Sequence, residues 1–252
     1  MFTDIVGFSR QMGTDEARML RVLEVHNQVI QHAVVTHSGH VIKTMGDAFL
    51  VDFPSVVNAV WSGSPQTLER AFELAQKAVA LDDSLPVAHV VLGDVYQWKK
   101  QHEHAIVEAE RAITLNSNCA ICYAELGQIL NAAGQPEEAI GLIEKGMRLD
   151  PQTTALYAAI LGRAYRLTGR YEEAIATLKK TLSFDSDRPG PHAELAVIYS
   201  ELGREEEARA EAAEILRIIP NFSLEVWRQR LPTKDPADIE RFLDGLRKAG
   251  LK

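Results

Sequence analysis

Cysteine is scarce in this sequence, which holds two cysteines, Cys119 and Cys122, among 252 residues. Two cysteines cannot form the disulfide framework that holds small secreted domains together. Their Cys-x-x-Cys spacing would suit half of a zinc site, but a structural zinc ion needs four ligands and the chain has no second such pair. We therefore interpret both cysteines as ordinary packing or surface thiols.

Long apolar runs and an excess of positive charge are also missing. No stretch of about 18 apolar residues occurs, so we expect no membrane-spanning helix. The formal net charge is -8 and the isoelectric point is near 5.5, which argues against nucleic acid as a partner. The first residues, Met1 to Asp4, lack the basic flank and apolar core of a secretion signal, so we expect a cytoplasmic protein.

A repeat of about 34 residues runs through most of the chain. Leu-Gly pairs at 92–93, 126–127 and 161–162 recur in register, with Ala196 at the matching place in a fourth unit. A small residue follows each mark at a fixed offset, and each unit ends in a serine or proline. The small residues are Ala105, Ala139, Ala174 and Ala208. Each unit is predicted to fold as a helix, a short turn and a second helix.

This pattern resembles the tetratricopeptide repeat (TPR), in which small residues sit where the two helices of a hairpin cross. The resemblance implies a mainly α fold, a TPR helical-hairpin superhelix, and we predict a small α+β segment of different origin in front of it. We predict four regions: an N-terminal segment (1–61), a junction with half a repeat (62–85), four repeats (86–220) and C-terminal capping helices (221–252).

In TPR arrays the first helices line a concave groove that usually binds a protein or peptide. The resemblance places seven polar or aromatic residues in that groove: Asp94, Gln97, Trp98, Gln128, Asn131, Arg163 and Arg166. Either arginine could pair with a carboxylate or phosphate on a ligand, and Trp98 could anchor one. The alternatives are that Trp98 packs on the next repeat and that the arginines are solvated.

The N-terminal segment has a different character. Residues 1–9 (MFTDIVGFS) and 39–53 (GHVIKTMGDAFLVDF) resemble two motifs of the class III nucleotidyl cyclases. The 231–250 stretch resembles the C-terminal end of bacterial adenylate/guanylate cyclase–TPR fusion proteins. The resemblance implies Mg²⁺ or Mn²⁺ held by Asp4, Asp47 and the carbonyl of Ile5. It also implies a nucleoside triphosphate contacted by Lys43 and by the turn at Gly7 and Phe8.

The second half of a cyclase domain is absent, including the asparagine and arginine that stabilise the transition state. We therefore assign no catalytic residue and expect the chain to be inactive alone, because losing such contacts costs roughly 10²-fold each. Asp4 and Asp47 could equally be vestigial acids of a turn and a strand end. We therefore expect a TPR protein-interaction scaffold linked to cyclic-nucleotide signalling. The alternatives are an adenylate/guanylate cyclase subunit completed by another chain and a homodimer formed through the N-terminal strands.

Overall fold

The computed structural model describes residues 2–3, 24, 40–45, 48–52, 65–151 and 154–252. Near the N-terminus the backbone forms three short strands, β1 (Phe2–Thr3), β2 (His40–Met45) and β3 (Ala48–Asp52). β3 is central, and both neighbours pair with it in antiparallel fashion. The hairpin of β2 and β3 lies within the second cyclase-like stretch, residues 39–53.

Eleven helices follow in the described part of the chain. In order they are α1 (Pro65–Leu81), α2 (Pro86–Trp98), α3 (His102–Leu115), α4 (Ala120–Ala133), α5 (Pro136–Leu149), α6 (Thr154–Leu167), α7 (Tyr171–Phe184), α8 (Pro189–Glu201), α9 (Glu205–Ile218), α10 (Leu224–Arg230) and α11 (Pro236–Lys248). Helices α2 to α9 form four antiparallel hairpins, as the repeat pattern predicts.

The hairpins stack into a superhelix with two layers. The first helices of successive hairpins (α2, α4, α6 and α8) contact one another and form the inner, concave layer. Each second helix packs on the first helix of the next hairpin and lies on the outer side. α1 packs on α2 in the same way, with the rings of Phe72 and Tyr96 in edge contact at 5.2 Å between centroids.

Small residues let the paired helices approach closely. A Cβ atom added to Gly127 would lie 2.4 Å from the Ile143 side chain, and one added to Gly162 would lie 2.6 Å from Leu178. Either contact is far shorter than van der Waals packing allows. The alanines at the fixed offset on the second helices are buried, as predicted from the repeat.

The turns inside the four hairpins share two backbone hydrogen bonds and one residue in the left-handed conformation. Gly134, Gly169 and Gly203 have φ values of 84°, 73° and 70° in the second, third and fourth hairpins. The first hairpin places Lys100 in this conformation, with φ of 58°. A left-handed conformation costs a residue with a Cβ atom roughly 1–2 kcal/mol, so the first turn is the strained one.

Cys119 and Cys122 are joined in a disulfide, so the interpretation of two separate thiols is wrong. Cys119 caps the N-terminus of α4 in an extended conformation, and Cys122 lies in the first turn of the same helix. This arrangement brings their Cα atoms to 5.3 Å, within the range that a disulfide spans.

Candidate partner-binding groove

The concave face divides into two parts that differ in what covers them. We call the surface formed by α2 and α4 the open half, and the surface formed by α6 and α8 the closed half. The closed half is covered by the C-terminal part of the chain, residues 231–248, which folds back over the inner layer. The sequence predicts these residues as a cap for the array, and the structure adds that they enter the groove.

Polar contacts fix the C-terminal residues to groove positions. The Arg163 guanidinium donates to Thr233 Oγ1 at 2.9 Å. The backbone N–H of Lys234 donates to the Ala132 carbonyl at 2.8 Å. Further along, Ser200 Oγ donates to the Gly245 carbonyl at 2.9 Å. These bonds reach the C-terminal end of α4, at the border with the open half, and then α6 and α8, so the segment follows the groove rather than touching it at one point.

Helix α11 supplies the apolar part of this covering. It begins with Asp235 as N-cap, whose side chain accepts from the Ala237 N–H at 2.8 Å, followed by Pro236. Two leucines of this helix, Leu243 and Leu246, are fully buried. Gly245 lies so close to α8 that an added Cβ would sit 3.0–3.1 Å from Val197. The amphipathic pattern and the glycine together allow α11 to lie flat on α8.

The charges of the closed half are paired within the chain. Arg166 is buried and forms an ion pair and hydrogen bond with Glu194. Arg163 Nε lies 3.9 Å from the second oxygen of the same carboxylate. Burial lowers the pKa of Arg163, and the charge of Glu194 opposes that effect. The Phe242 ring packs over the Arg166 guanidinium at 5.2 Å. Here the predicted ligand-binding arginines bind the protein itself.

The open half exposes apolar side chains instead. Val87, Val91, Trp98 and Ile121 are each about half exposed, at 52%, 44%, 45% and 46%. Val87, Val91 and Trp98 recur at helical spacing on one face of α2, and exposed apolar patches are typical of surfaces that bind other molecules. Trp98 is the largest of them, and its exposure matches the role of an anchor better than that of a core residue.

A polar seam crosses the open half between these apolar groups. The side chains of Asp94 and Glu125 are hydrogen-bonded to each other. Gln128 donates to Glu125 Oε2 at 3.4 Å, and Gln97 donates to the Gln128 carbonyl at 3.4 Å. We call these four residues the acidic seam.

The environment of the acidic seam favours protonated carboxyl groups. Burial raises the pKa of Asp94 to about 6, against a smaller lowering by its hydrogen bond with Glu125. Burial, the neighbouring charge of Asp94 and their hydrogen bond raise the pKa of Glu125 well above its usual range. Burial is the main cause of both shifts, and no cation of the described residues offsets it.

The structure brings some of the predicted site residues together and separates others. Asp94, Gln97 and Gln128 meet in the acidic seam, with Trp98 at its edge. Asn131 is buried and donates to the Ile160 carbonyl at 3.1 Å, so it ties α4 to α6. Arg163 and Arg166 belong to the closed half. Sequence reasoning missed Glu125 and Glu194, although each lies two residues before the small residue of its repeat, Gly127 or Ala196.

The residues assigned to metal and nucleotide lie in the N-terminal segment. Asp4, Ile5, Gly7, Phe8 and Asp47 fall outside the described residues, so their roles stay predictions. The backbone at Lys43 lies in β2. Within the residues that the structure describes, no group of three histidine, cysteine or acidic side chains is arranged to hold a metal ion. None of the described helices is long and apolar enough to cross a membrane.

Two-layer stacks of antiparallel hairpins with glycine at the helix crossing define the tetratricopeptide-repeat class of helical superhelix. Two family models, each described as Tetratricopeptide repeat, match this chain over residues 120–153 and 165–231. The matched ranges contain the second and fourth hairpins, together with α7 of the third hairpin and α10. The chain therefore carries tetratricopeptide repeats.

Solved structures share this fold. PilW, a type IV pilus biogenesis factor, superimposes with a TM-score of 0.58 and 19% identity, covering 73% of this chain and 82% of PilW. A thermophilic TPR protein of Thermus thermophilus has a TM-score of 0.56 and 22% identity, covering 72% of this chain and 92% of the Thermus protein. PilF of Pseudomonas aeruginosa superimposes with a TM-score of 0.56 and 17% identity, covering 90% of this chain and 89% of PilF. At these identities the likeness shows the fold alone.

One curated relative carries an enzyme name. It is a provisionally named adenylate cyclase 3 of Rhizobium meliloti (strain 1021), 38% identical over 94 residues. The match takes in 36% of this chain and 16% of the relative. The chain thus spans about a sixth of the length of that protein.

Proposed function

We propose that this chain is an interaction scaffold that holds a protein or peptide partner in the open half of its groove. This proposal rests on the observation that the C-terminal residues cover one half of the groove and leave the other half exposed. The C-terminal residues fill the inner surface of α6 and α8, while Val87, Trp98 and Ile121 remain exposed on α2 and α4. A bound segment would remove these apolar groups from water and so gain free energy in proportion to the area buried.

Site-specific photo-crosslinking tests this proposal in cells that naturally make the chain. A photoreactive amino acid replaces Trp98 in the open half or, as the control, Phe184, which is 69% exposed at the end of an outer helix. We expect a protein to be crosslinked from position 98 and not from position 184, and to be lost when Ile121→Asp is added. Equal crosslinking at both positions, or none at position 98, would contradict a groove-binding scaffold.

A second function is supported by the N-terminal motifs and by the name of the Rhizobium relative. We propose that the scaffold belongs to cyclic-nucleotide signalling, and that the N-terminal segment is the part of a cyclase subunit that another chain completes. In that case Asp4, Asp47 and the Ile5 carbonyl would hold Mg²⁺ or Mn²⁺, with Lys43, Gly7 and Phe8 near a nucleoside triphosphate. These ligands are the hard oxygen donors that such ions prefer.

Calorimetric titration tests the second function directly. ATP or GTP with Mn²⁺ is titrated into the full chain and into the double variant Asp4→Ala, Asp47→Ala. We expect heat of binding in the first and none in the second. The absence of heat in both would leave the motifs as a trace of ancestry and remove the nucleotide from the proposal.

A homodimer formed through the N-terminal strands is the third alternative, since a short three-stranded sheet has edges that can pair with another copy. Sedimentation of the full chain over a hundredfold concentration range tests it. A constant monomer mass would exclude this alternative. A cytoplasmic location likewise stays a prediction from the sequence.

A further inference from the structure

The two halves of the groove carry different residues at equivalent positions of the repeat. Asp94 directly follows the Leu-Gly pair of the first hairpin, and Arg163 directly follows that of the third. Glu125 and Glu194 each directly precede the mark of the next hairpin. The closed half therefore pairs an arginine with a glutamate at the place where the open half pairs two carboxyl groups.

The chain itself shows what chemistry this position accommodates. In the closed half the guanidinium of Arg163 lies near Glu194, with Nε 3.9 Å from the carboxylate. In the open half Glu125 has the same place relative to its neighbouring helix, but the opposite position holds Asp94. The open half is thus an acidic pair with its cation missing among the described residues.

Unsatisfied acceptors in the acidic seam point to a ligand with several N–H donors. Asp94 Oδ1 is buried and has no hydrogen-bond partner. Gln97 lies one helical turn beyond Asp94 on the same face and is 1% exposed. Its Nε2 donates to the Gln128 carbonyl, while its Oε1 has no partner. Leaving buried acceptors unpaired costs about 1–3 kcal/mol each, and a guanidinium or ammonium group supplies the donors that they lack.

We propose that the acidic seam is a subsite for a lysine or arginine side chain of the partner, with apolar partner residues packing on Val87, Trp98 and Ile121. The inference rests on the proposed scaffold function and names the chemistry of its ligand. Binding of the cation would draw the proton off the Asp94–Glu125 pair, because a positive charge favours the ionised carboxyl. The partner segment therefore carries a basic residue between apolar ones.

Two synthetic peptides separate charge from shape. The probes are acetyl-Leu-Val-Arg-Val-Leu-amide and the same peptide with citrulline, which keeps the shape of arginine without its charge. Affinity for the full chain is measured by calorimetry. We expect the arginine peptide to bind at least tenfold more tightly than the citrulline peptide. Equal affinities, or no binding of either peptide at millimolar concentration, would overturn the proposal.

Variants of Asp94 supply the controls. Asp94→Arg reproduces in the open half the arginine–glutamate pair of the closed half, so it should remain folded and abolish the preference for arginine. Asp94→Asn keeps the size of the side chain and should reduce the preference about tenfold. Asp83→Asn, at an exposed aspartate in the α1–α2 turn, should leave it unchanged. A preference for arginine that survives both Asp94 variants would place the cation elsewhere and overturn the assignment.

The photo-crosslinked partner distinguishes this proposal from the scaffold function. If a partner is captured at position 98 and Asp94→Arg lowers its capture at least tenfold, both stand. If capture at position 98 is unaffected by Asp94→Arg, the scaffold stands and the cation subsite fails. If no partner is captured there, the scaffold function itself fails.

Discussion

Arg163 and Glu194 lie opposite each other on α6 and α8, while Asp94 and Glu125 occupy the equivalent places on α2 and α4. The first pair is neutralised within the chain and covered by its C-terminal residues. The second pair has no internal cation in the described residues and lies among exposed apolar side chains. The same fold thus produces one half whose charges are paired within the chain and one half whose buried carboxyl groups have raised pKa values. This difference is the basis for proposing the open half as the partner site.

The strongest way to break this comparison is to remove the carboxylate of the closed half. Glu194→Gln leaves Arg166, whose side chain is 6% exposed, without its ion-pair partner. We expect a loss of about 3 kcal/mol in the free energy of unfolding, because an uncompensated buried charge is costly. Urea denaturation measures it. The matched control is Glu205→Gln, which breaks an exposed pair with Arg209 and should cost less than about 0.5 kcal/mol. Equal losses in the two variants would contradict the view that Glu194 holds the closed half together.

The second way is to lift α11 out of the groove. Gly245→Leu inserts a side chain where even a Cβ atom lies 3.0–3.1 Å from Val197, so α11 must move away from α8. We expect a loss of about 2 kcal/mol, typical of overpacking, together with faster hydrogen exchange in α8. Gly141→Leu is the control, since nothing lies within 4 Å of a Cβ at that helical position. It should stabilise the chain by up to about 1 kcal/mol, because leucine favours the helix more than glycine does. Slow exchange in α8 of the Gly245→Leu variant would show that α11 does not depend on this contact.

A third test measures how the contribution of Asp94, in the open half, to stability changes with pH. The pKa of Asp94 is raised to about 6, whereas that of an aspartate in the unfolded chain stays near 4. Between these values the folded protein binds the proton and the unfolded chain does not, so Asp94 lowers stability as pH rises through about 6. Asp94→Asn removes this effect. It should therefore be more stable than the natural chain by about 1–2 kcal/mol at pH 7.5 and nearly equal to it at pH 4. A difference that is the same at both pH values would contradict the burial of an unpaired carboxyl group.

The smallest expected effect concerns a histidine contact that both halves share. Nδ1 of His192 lies 2.5 Å from Glu211, and its Nε2 lies 3.0 Å from the Ser186 carbonyl. His89 makes the same two contacts, with Glu108 and the Asp83 carbonyl. Burial lowers the pKa of His192, but the hydrogen bonds and the charge of Glu211 outweigh it and leave the pKa raised. The contribution to stability is therefore fully present below the unfolded pKa, near 6.5, and is lost as pH rises through the folded one.

For this reason His192→Gln should cost more at pH 5.5 than at pH 8.5, by about 0.5–1 kcal/mol. Urea denaturation at the two pH values measures the difference, with His89→Gln as the companion variant in the open half. A cost that does not change with pH would show that the neutral ring provides the whole contact.

Repetition explains how much of this structure could be predicted. A short helix alone is ambiguous, but four units with small residues at one offset specify hairpins, crossing points and the inner face. For that reason Gly127, Gly162 and the buried alanines could be assigned from the sequence. The assignment of Asp94 and Trp98 to a partner groove stays a prediction.

The remaining features depend on contacts that the repeat pattern does not specify. The approach of residues 231–248 to the groove requires Gly245 against Val197 and Thr233 against Arg163, and these partners lie in different elements far apart in sequence. Glu125 and Glu194 were missed because their position faces the seam between two repeats rather than the centre of one. The disulfide was missed because Cys-x-x-Cys spacing alone does not reveal the conformation at the start of α4.

Lys100 gives the first hairpin a dynamic property of its own. In a linear array each repeat contributes its own stability together with that of its contacts to its neighbours. A lysine in the left-handed turn, where the other hairpins have glycine, removes about 1 kcal/mol from the first hairpin alone. That amount multiplies the population of molecules in which α2 and α3 have come apart by about five. Local unfolding of the array should therefore begin at α2, the helix that carries Asp94 and Trp98. A partner bound there would stabilise the hairpin that unfolds most readily.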